Sequence, residues 1–134
     1  MNIVMLLKPK ETVAYIYEDS TIRQALEKMK AHSYTAVPVI DEYGKYVGTV
    51  SEGDFLWYIV EKQTQGMKSQ EKYFVRDLIR TDFNPSVKIS VDMKELYERA
   101  LNQNFIPVTD DSGVFIGSVT RKDLISHFVD KSKL

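Results

Sequence analysis

The apolar residues of the chain follow helical spacing in two places. Apolar side chains recur at i, i+3, i+4 and i+7 from Ile22 to Met29, and again from Met93 to Ala100. Asp19-Ser20-Thr21 precedes the first segment and Ser90-Val91-Asp92 precedes the second, and such polar residues commonly cap a helix N-terminus. The pattern therefore predicts two amphipathic helices that each bury one face.

After each of these helices, short apolar runs predict a pair of β-strands. The turns Asp-Glu-Tyr-Gly and Asp-Asp-Ser-Gly separate the runs and predict hairpins. A further helix follows each hairpin, beginning at Ser51 or Thr120. The predicted strands are Ala36–Ile40 with Tyr46–Val50 and Phe105–Thr109 with Val114–Val119, and extended runs at Val13–Tyr17 and Val87–Ile89 come before the first helices. The last helices are expected to bury Phe55, Leu56 and Ile59 in one half, and Leu124, Ile125 and Phe128 in the other.

The two halves of the chain carry the same pattern. Residues 38–60 align without a gap on residues 107–129 at an offset of 69, which places GTVSEGD (48–54) on GSVTRKD (117–123). Such self-similarity indicates an internal duplication. We predict a mixed α/β (α+β) protein with two β-α-β-β-α repeats, at residues 1–62 and 73–134, joined by a polar linker at residues 63–72. Each half alone is near the lower size limit for stable folding, so the repeats are expected to pack together.

Composition narrows the classes of function. Of the 134 residues, 43% are hydrophobic and 28% are charged, as in an ordinary globular protein. The formal net charge of −1 disfavours nucleic acid as the main partner, because binding to a phosphate backbone usually requires a basic excess. The chain contains no cysteine, which excludes thiol catalysis, thiolate metal sites and disulfides, and we expect no metal site.

The hydropathy pattern contains no membrane segment. The apolar run at the N-terminus stops at Lys8-Pro9 and is too short for the core of a signal peptide. No run approaches the ~20 apolar residues that span a bilayer. We expect a cytoplasmic protein without a membrane partner.

The repeated signature has two physical interpretations. Ser51 with Asp54, and Thr120 with Asp123, have the spacing of a capping box at a helix start, which a purely structural or protein-interaction module could use. Alternatively, the free N–H groups and the positive dipole end of a helix suit a phosphate, and a capping hydroxyl adds a hydrogen bond. A carboxylate one turn later accepts hydrogen bonds from paired sugar hydroxyls. Together these groups would form a ribose-phosphate clamp.

The order of the motifs resembles a known family. A strand with x-Pro-Val-x-Asp, followed by Gly-h-h-[Ser/Thr]-x-x-Asp (h is apolar), occurs as YTAVPVID…GKYVGTVSEGDFL and as NFIPVTDD…GVFIGSVTRKDLI. From about Lys8 to Lys131 the chain resembles tandem cystathionine-β-synthase (CBS) domains, also called a Bateman module. The resemblance implies two repeats packed sheet against sheet with pseudo-twofold symmetry, and clefts between them that bind adenosine-containing ligands.

The resemblance also implies roles for individual residues. Asp54 and Asp123 would hold the ribose hydroxyls, while Ser51 and Thr120 would face the phosphate. Residues before and at each proline would contact the base through backbone groups and apolar side chains, and these are Tyr34, Thr35, Ala36, Val37 and Pro38, and Asn104, Phe105, Ile106 and Pro107. The implied regulatory ligand is AMP, ADP or ATP, or else S-adenosylmethionine or cyclic di-AMP, with no obligatory cofactor.

The two signatures differ where the phosphate would lie. The second helix opens with Thr120-Arg121-Lys122, whereas the first opens with Ser51-Glu52-Gly53. Two cations at a helix N-terminus favour several phosphates, so we expect unequal sites, with Arg121 and Lys122 binding phosphate. The alternative is that both cations form a solvated face of the helix.

The sequence favours a regulatory module and not an enzyme. It contains no nucleophile with its base, no Gly-rich phosphate loop and no metal-ligand cluster. The leading hypothesis is a module that senses an adenine nucleotide and signals to a separate, unknown protein effector or through oligomerisation. Members of the family commonly form homodimers through their helices, and the candidate surface comprises Phe55, Trp57, Ile59, Leu124 and Phe128. In the alternative hypothesis the signatures serve only as helix caps.

Overall fold

The computed structural model describes residues 3–62, 66 and 70–132. Within these residues the fold is mixed α+β, as predicted, with helices α1 (Ile22–His32), α2 (Glu52–Lys62), α3 (Met93–Ala100) and α4 (Arg121–Ser132). The strands are β1 (Lys8–Pro9), β2 (Ile16–Tyr17), β3 (Ala36–Ile40), β4 (Tyr46–Ser51), β5 (Val87–Lys88), β6 (Phe105–Thr109) and β7 (Phe115–Thr120). Single turns of 3₁₀ helix lie at Ile3–Met5, Lys10–Thr12 and Val75–Leu78. Most of the predicted linker, residues 63–65 and 67–69, falls outside the described residues.

Both halves form the same hairpin. β3 pairs antiparallel with β4, and β6 pairs antiparallel with β7. β2 joins the edge of the first hairpin in parallel, and β5 joins the second in the same way. The predicted order β-α-β-β-α is therefore confirmed in both halves, with the first extended runs reduced to two residues each.

The first helix of each half begins where the sequence predicts. Thr21 Oγ1 accepts a hydrogen bond from the Gln24 N–H at 3.1 Å, and Gln24 Oε1 accepts one from the Thr21 N–H at 2.9 Å. Asp92 Oδ1 accepts from the Glu95 N–H at 2.8 Å. These side chains satisfy N–H groups that a helix leaves without an internal partner.

None of the described helices combines the length and the apolar composition needed to cross a membrane.

The compact units of the structure do not coincide with the repeats. One unit runs from Ala14 to Phe83, and the other joins the segment up to Val13 to the residues from Asn84 onward. In the second unit, β1 pairs antiparallel with β7. Each unit thus contains one hairpin, its two helices and a short lead segment from outside that repeat, which we define as Val75–Arg80 in the first unit and Ile3–Lys8 in the second.

Each unit has its own hydrophobic core between the sheet, the helices and the lead segment. The fully buried side chains include Ile22, Val37, Val39, Val50, Phe55 and Val75 in the first unit, and Ile3, Leu96, Ile106, Val108, Val119 and Leu124 in the second. The lead segments therefore contribute core residues, because Val75 and Ile3 are fully buried in them.

Three side chains predicted to be buried in the last helices are exposed. Leu56, Ile125 and Phe128 have relative exposures of 57%, 56% and 54%. Adjacent helical positions point about 100° apart, so a narrow contact that buries Phe55 leaves Leu56 outside, and the same holds for Leu124 and Ile125. Helices α2 and α4 therefore present apolar side chains away from the cores of their own units.

Candidate functional site

Each signature crosses from a strand directly into a helix. Ser51 ends β4 and Thr120 ends β7, one residue before the helices begin. The first helical N–H groups donate to the residue just before the neighbouring strand, from Glu52 to the Thr35 carbonyl at 2.9 Å and from Arg121 to the Asn104 carbonyl at 2.8 Å. Two of the carbonyls predicted to contact a base thus accept hydrogen bonds from the helix starts.

The signature glycines allow the lead segments to pack closely against the strands. Gly48 has φ of 158° and Gly117 has φ of 154°. A Cβ atom at Gly48 would lie 2.5 Å from Ile79 Cγ2, and one at Gly117 would collide with the Lys8 backbone carbonyl and lie 3.0 Å from Leu7 Cδ1. Because no side chain intervenes, each lead segment brings its last residue, Arg80 or Lys8, next to the signature carboxylate.

The first signature forms a reciprocal capping box that also holds an arginine. Asp54 Oδ2 accepts from the Ser51 N–H at 2.8 Å and from Ser51 Oγ at 3.0 Å, while the Asp54 N–H donates to Ser51 Oγ at 3.4 Å. Arg80 Nε lies 2.8 Å from Asp54 Oδ1, and its Nη2 lies 3.4 Å from Oδ2. The Asp54 side chain is only 11% exposed. Helix cap and ion pair together engage both of its oxygens.

The second signature is more open. The Asp123 N–H donates to Thr120 Oγ1 at 3.1 Å, and Lys8 Nζ lies 3.7 Å from Asp123 Oδ2. That separation permits an electrostatic attraction but exceeds the length of a normal hydrogen bond. The Asp123 side chain is 34% exposed. Its carboxylate is therefore better placed than that of Asp54 to accept hydrogen bonds from a ligand.

The cavities beside the two signatures have opposite charge. The first, about 430 Å³, is lined by Ser51, Gly53, Asp54, Trp57, Tyr58, Glu61, Asp77, Leu78 and Arg80, which amounts to three carboxylates and one guanidinium. Burial raises the pKa of Tyr58, and the negative charge of Asp77 raises it further. The second, about 440 Å³, is lined by Asn104, Thr120, Arg121, Lys122, Ile125 and Ser126, a set with two cations and no carboxylate. The charges therefore favour an anionic ligand at the second signature.

Arg121 has an additional role in holding the fold. Its Nε donates to the Ala100 carbonyl at 2.7 Å, at the last residue of α3. A cation at a helix C-terminus is stabilised by the unpaired carbonyls and the negative dipole end. The guanidinium has further N–H donors besides Nε, and Arg121 lines the cavity. Its contact with a phosphate stays a prediction.

The predicted base-contacting residues lie in several environments. The side chains of Val37 and Ile106 are buried in the cores of their units, as are Pro38 and Pro107 in their strands. Tyr34 stacks on His32 with ring centroids 5.3 Å apart, and it lines a separate apolar cavity of about 400 Å³ with Phe55 and Leu56. Ala36 and Phe105 are partly buried at the starts of β3 and β6. Asn104 shares a cavity with Thr120 of the second signature, and the cavity lined by Tyr34 is also lined by Glu52 of the first signature.

Sequence reasoning missed Arg80 and Lys8. The lead segments read VRDLIR and IVMLLK, so the apolar residues and the final cation match at an offset of 72. That match is the signal that could have identified them, but a match over six residues is too short to assign a role without an observed contact.

Among the described residues, no group of three or more acidic or histidine side chains is placed to hold a metal ion.

Comparison with known proteins places this geometry in a family. The model of the CBS domain matches residues 7–61 and again residues 75–130. The chain is 27% identical over 128 residues to L-aspartate semialdehyde sulfurtransferase of Methanocaldococcus jannaschii, a match that covers 95% of this chain but 23% of that protein. The chain therefore spans less than a quarter of this relative's length.

The fold is similar to those of solved CBS proteins. The structure of CbpB in complex with cyclic di-AMP matches with a TM-score of 0.84 and 23% identity, covering 98% of this chain and 91% of that one. CBSX2 in complex with AMP matches with a TM-score of 0.77 and 22% identity, covering 98% of both chains, and CBSX2 comes from Arabidopsis thaliana. With two matched copies covering most of its length, the chain belongs to the CBS domain family.

Proposed function

We propose that the chain is a regulatory module that binds an adenine nucleotide, with the phosphate at the second signature. The carrying observation is the cavity at the start of α4. Its lining combines the Thr120 hydroxyl, the cations Arg121 and Lys122, and the N-terminus of α4. Asp123 is the next residue of that helix, although it does not line this cavity. The first three features suit a phosphate, and the Asp123 carboxylate suits a ribose diol.

The comparisons support the class of ligand. CbpB was crystallised with cyclic di-AMP and CBSX2 with AMP, and both share the fold over 98% of this chain. The two ligands share an adenosine unit and a phosphate. We propose the adenosine unit as the minimum ligand here, with AMP, ADP, ATP, S-adenosylmethionine and cyclic di-AMP as the compounds to compare.

Binding would act as a signal through differential affinity. A ligand shifts a protein between two arrangements only as far as it binds one arrangement more tightly than the other. We propose that the readout is a change in the surface offered to a separate effector protein or to a second copy of the chain. Exposed apolar side chains on α2 and α4, such as Trp57 at 64% and Phe128 at 54%, supply that surface, whereas Phe55 and Leu124 from the predicted set are buried in the cores.

The first experiment is calorimetric titration of each ligand into the wild type and Asp123→Asn. We expect the variant to lose most of the heat from the tightest ligand, because the neutral amide replaces a double acceptor with one acceptor and one donor. Asp111→Asn is the matched control, since it removes the same charge from an exposed turn of the same repeat. Equal binding by wild type and Asp123→Asn would contradict the assignment, and no binding of any ligand would contradict the function.

A second candidate function is favoured by the first signature alone. Ser51 and Asp54 satisfy each other's groups in a reciprocal cap, which a structural or protein-interaction module would use without any nucleotide. In that case Asp54→Asn costs about 0.5–2 kcal/mol of unfolding free energy, and no ligand changes the melting temperature of either protein. A ligand that stabilises the wild type would exclude this alternative, because only binding to the native state raises stability in this way.

A further inference from the structure

Arg80 occupies the oxygen of Asp54 that the helix cap leaves available. Oδ2 already accepts from the Ser51 N–H and hydroxyl, at 2.8 and 3.0 Å. Oδ1 is 2.8 Å from Arg80 Nε. A ribose diol binds a carboxylate by donating two hydrogen bonds, and at Asp54 it would meet one oxygen engaged by the cap and the other by the guanidinium.

The arginine is held in this position from its other side as well. Its guanidinium carbon lies 3.8 Å from the centroid of the Phe83 ring, a distance at which a cation is attracted to the aromatic face. Ile79, the preceding residue, packs against Gly48 at the signature strand. Backbone and side chain therefore both direct Arg80 to Asp54.

We infer that Arg80 is an inhibitory latch on the first signature, which competes with the sugar hydroxyls of a ligand for the Asp54 carboxylate. This inference rests on the proposed function, because the competing ligand is the same adenosine unit. The latch makes the first signature the weaker of the two, since a ligand must displace Arg80 before it can bind. The apparent affinity equals the intrinsic affinity multiplied by the fraction of molecules in which the site is open.

The second signature lacks an equivalent latch among the described residues. Lys8 occupies the matching place in its lead segment, but its Nζ is 3.7 Å from Asp123 Oδ2. A lysine ammonium is a mobile point charge, whereas the planar guanidinium presents two parallel N–H groups to a carboxylate. The second signature should therefore fill first as ligand concentration rises.

The test uses adenosine, which has no phosphate that could attract Arg80. The second signature is silenced with Asp123→Asn, and Arg80→Gln or Arg80→Lys is added to that background. Removing a half-exposed ion pair of this geometry should tighten adenosine binding about two- to fivefold in Arg80→Gln. Arg80→Lys should give an intermediate affinity, because it keeps the charge but loses the paired N–H groups. Arg76→Gln is the matched control. It removes a cation of the same lead segment, but this cation stacks on Phe74.

Salt provides a second readout that a merely structural role would not change. Adenosine is neutral, so ionic strength acts on its binding mainly through the Arg80–Asp54 pair. Added NaCl should tighten adenosine binding when Arg80 is present and leave it unchanged in Arg80→Gln. Binding in Arg80→Gln that is no tighter than in Arg76→Gln would overturn the latch, even if AMP still binds the wild-type chain. If neither adenosine nor AMP binds the wild type or any variant, the proposed function fails and the latch falls with it.

Discussion

The signature glycines provide the sharpest stability test, because an alanine meets a different obstacle in each half. At Gly117 the added Cβ collides with the backbone carbonyl of Lys8, whereas at Gly48 it lies 2.5 Å from Ile79 Cγ2, a side-chain methyl. Both positions also have a backbone conformation that L-residues rarely adopt, which costs about 1–3 kcal/mol. Alanine at either site is therefore destabilising.

The two substitutions differ in how the clash with the added Cβ atom is relieved. In Gly48→Ala, the Ile79 side chain can rotate away from the new methyl group at a cost of about 0.5–1.5 kcal/mol for an off-rotamer conformation. The Lys8 carbonyl can move only with its strand, and a forced backbone shift costs about 1–3 kcal/mol. We expect Gly48→Ala to lose about 1.5–4.5 kcal/mol and Gly117→Ala about 2–6 kcal/mol. Displacing β1 would also separate Lys8 from Asp123.

Urea unfolding followed by far-UV circular dichroism measures both losses, and second-site variants identify the obstacle. Ile79→Ala removes the Cγ2 methyl that obstructs Gly48→Ala. The double variant should therefore lose less unfolding free energy than the two single variants lose together. Leu7→Ala is the matched change in the other half, and it leaves the Lys8 carbonyl in place. Rescue of Gly117→Ala by Leu7→Ala as complete as that of Gly48→Ala by Ile79→Ala would refute the reasoning, as would a smaller loss at Gly117.

Three further predictions concern the hydroxyl groups of Tyr46 and Thr49 in the first half and of Ser118, the counterpart of Thr49, in the second. Burial raises the pKa of Tyr46 to about 12, so the native state keeps a proton that the unfolded chain loses above the ordinary tyrosine pKa of about 10. The free energy of unfolding should therefore fall by roughly 2–3 kcal/mol between those pH values. Tyr46→Phe should remove this pH dependence in denaturation curves measured from pH 9 to pH 12. Tyr46 Oη lies 2.7 Å from Thr49 Oγ1, and Thr49→Val should cost about 0.5–1.5 kcal/mol. Ser118 Oγ is buried with no hydrogen-bond partner among the described residues, so Ser118→Ala should leave stability unchanged or raise it by up to about 1 kcal/mol. A loss on Ser118→Ala as large as that on Thr49→Val would show that the hydroxyl has a partner.

Local signals explain the parts of the fold that the sequence predicts correctly. Thr21 and Asp92 mark the helix starts because their side chains bond N–H groups three residues away. The hairpins are recognisable because Asp41 and Asp110 close the turns, each accepting hydrogen bonds from two nearby backbone N–H groups. In each case the information lies within a few residues of the feature.

The parts that escape prediction depend on contacts between distant residues. The lead segments pack on signature strands far away in sequence, at Gly48 and Gly117, and a six-residue apolar pattern does not say which strand it meets. The exposure of Leu56 could not be predicted either, because hydrophobicity alone does not fix how wide a face a helix buries. Arg80 ends one of these short patterns, and only its 2.8 Å distance from Asp54 reveals the ion pair.

The duplication shows why a motif must be read together with its neighbours. Both signatures spell the same spacing of glycine, hydroxyl and carboxylate, yet Asp54 is 11% exposed and engaged by an arginine, while Asp123 is 34% exposed beside a more distant lysine. An aspartate binds a sugar only through acceptors that its own protein leaves available. If the signatures bind a ligand as we propose, the residue that decides between binding and capping is the cation that ends each lead segment, which lies outside the signature.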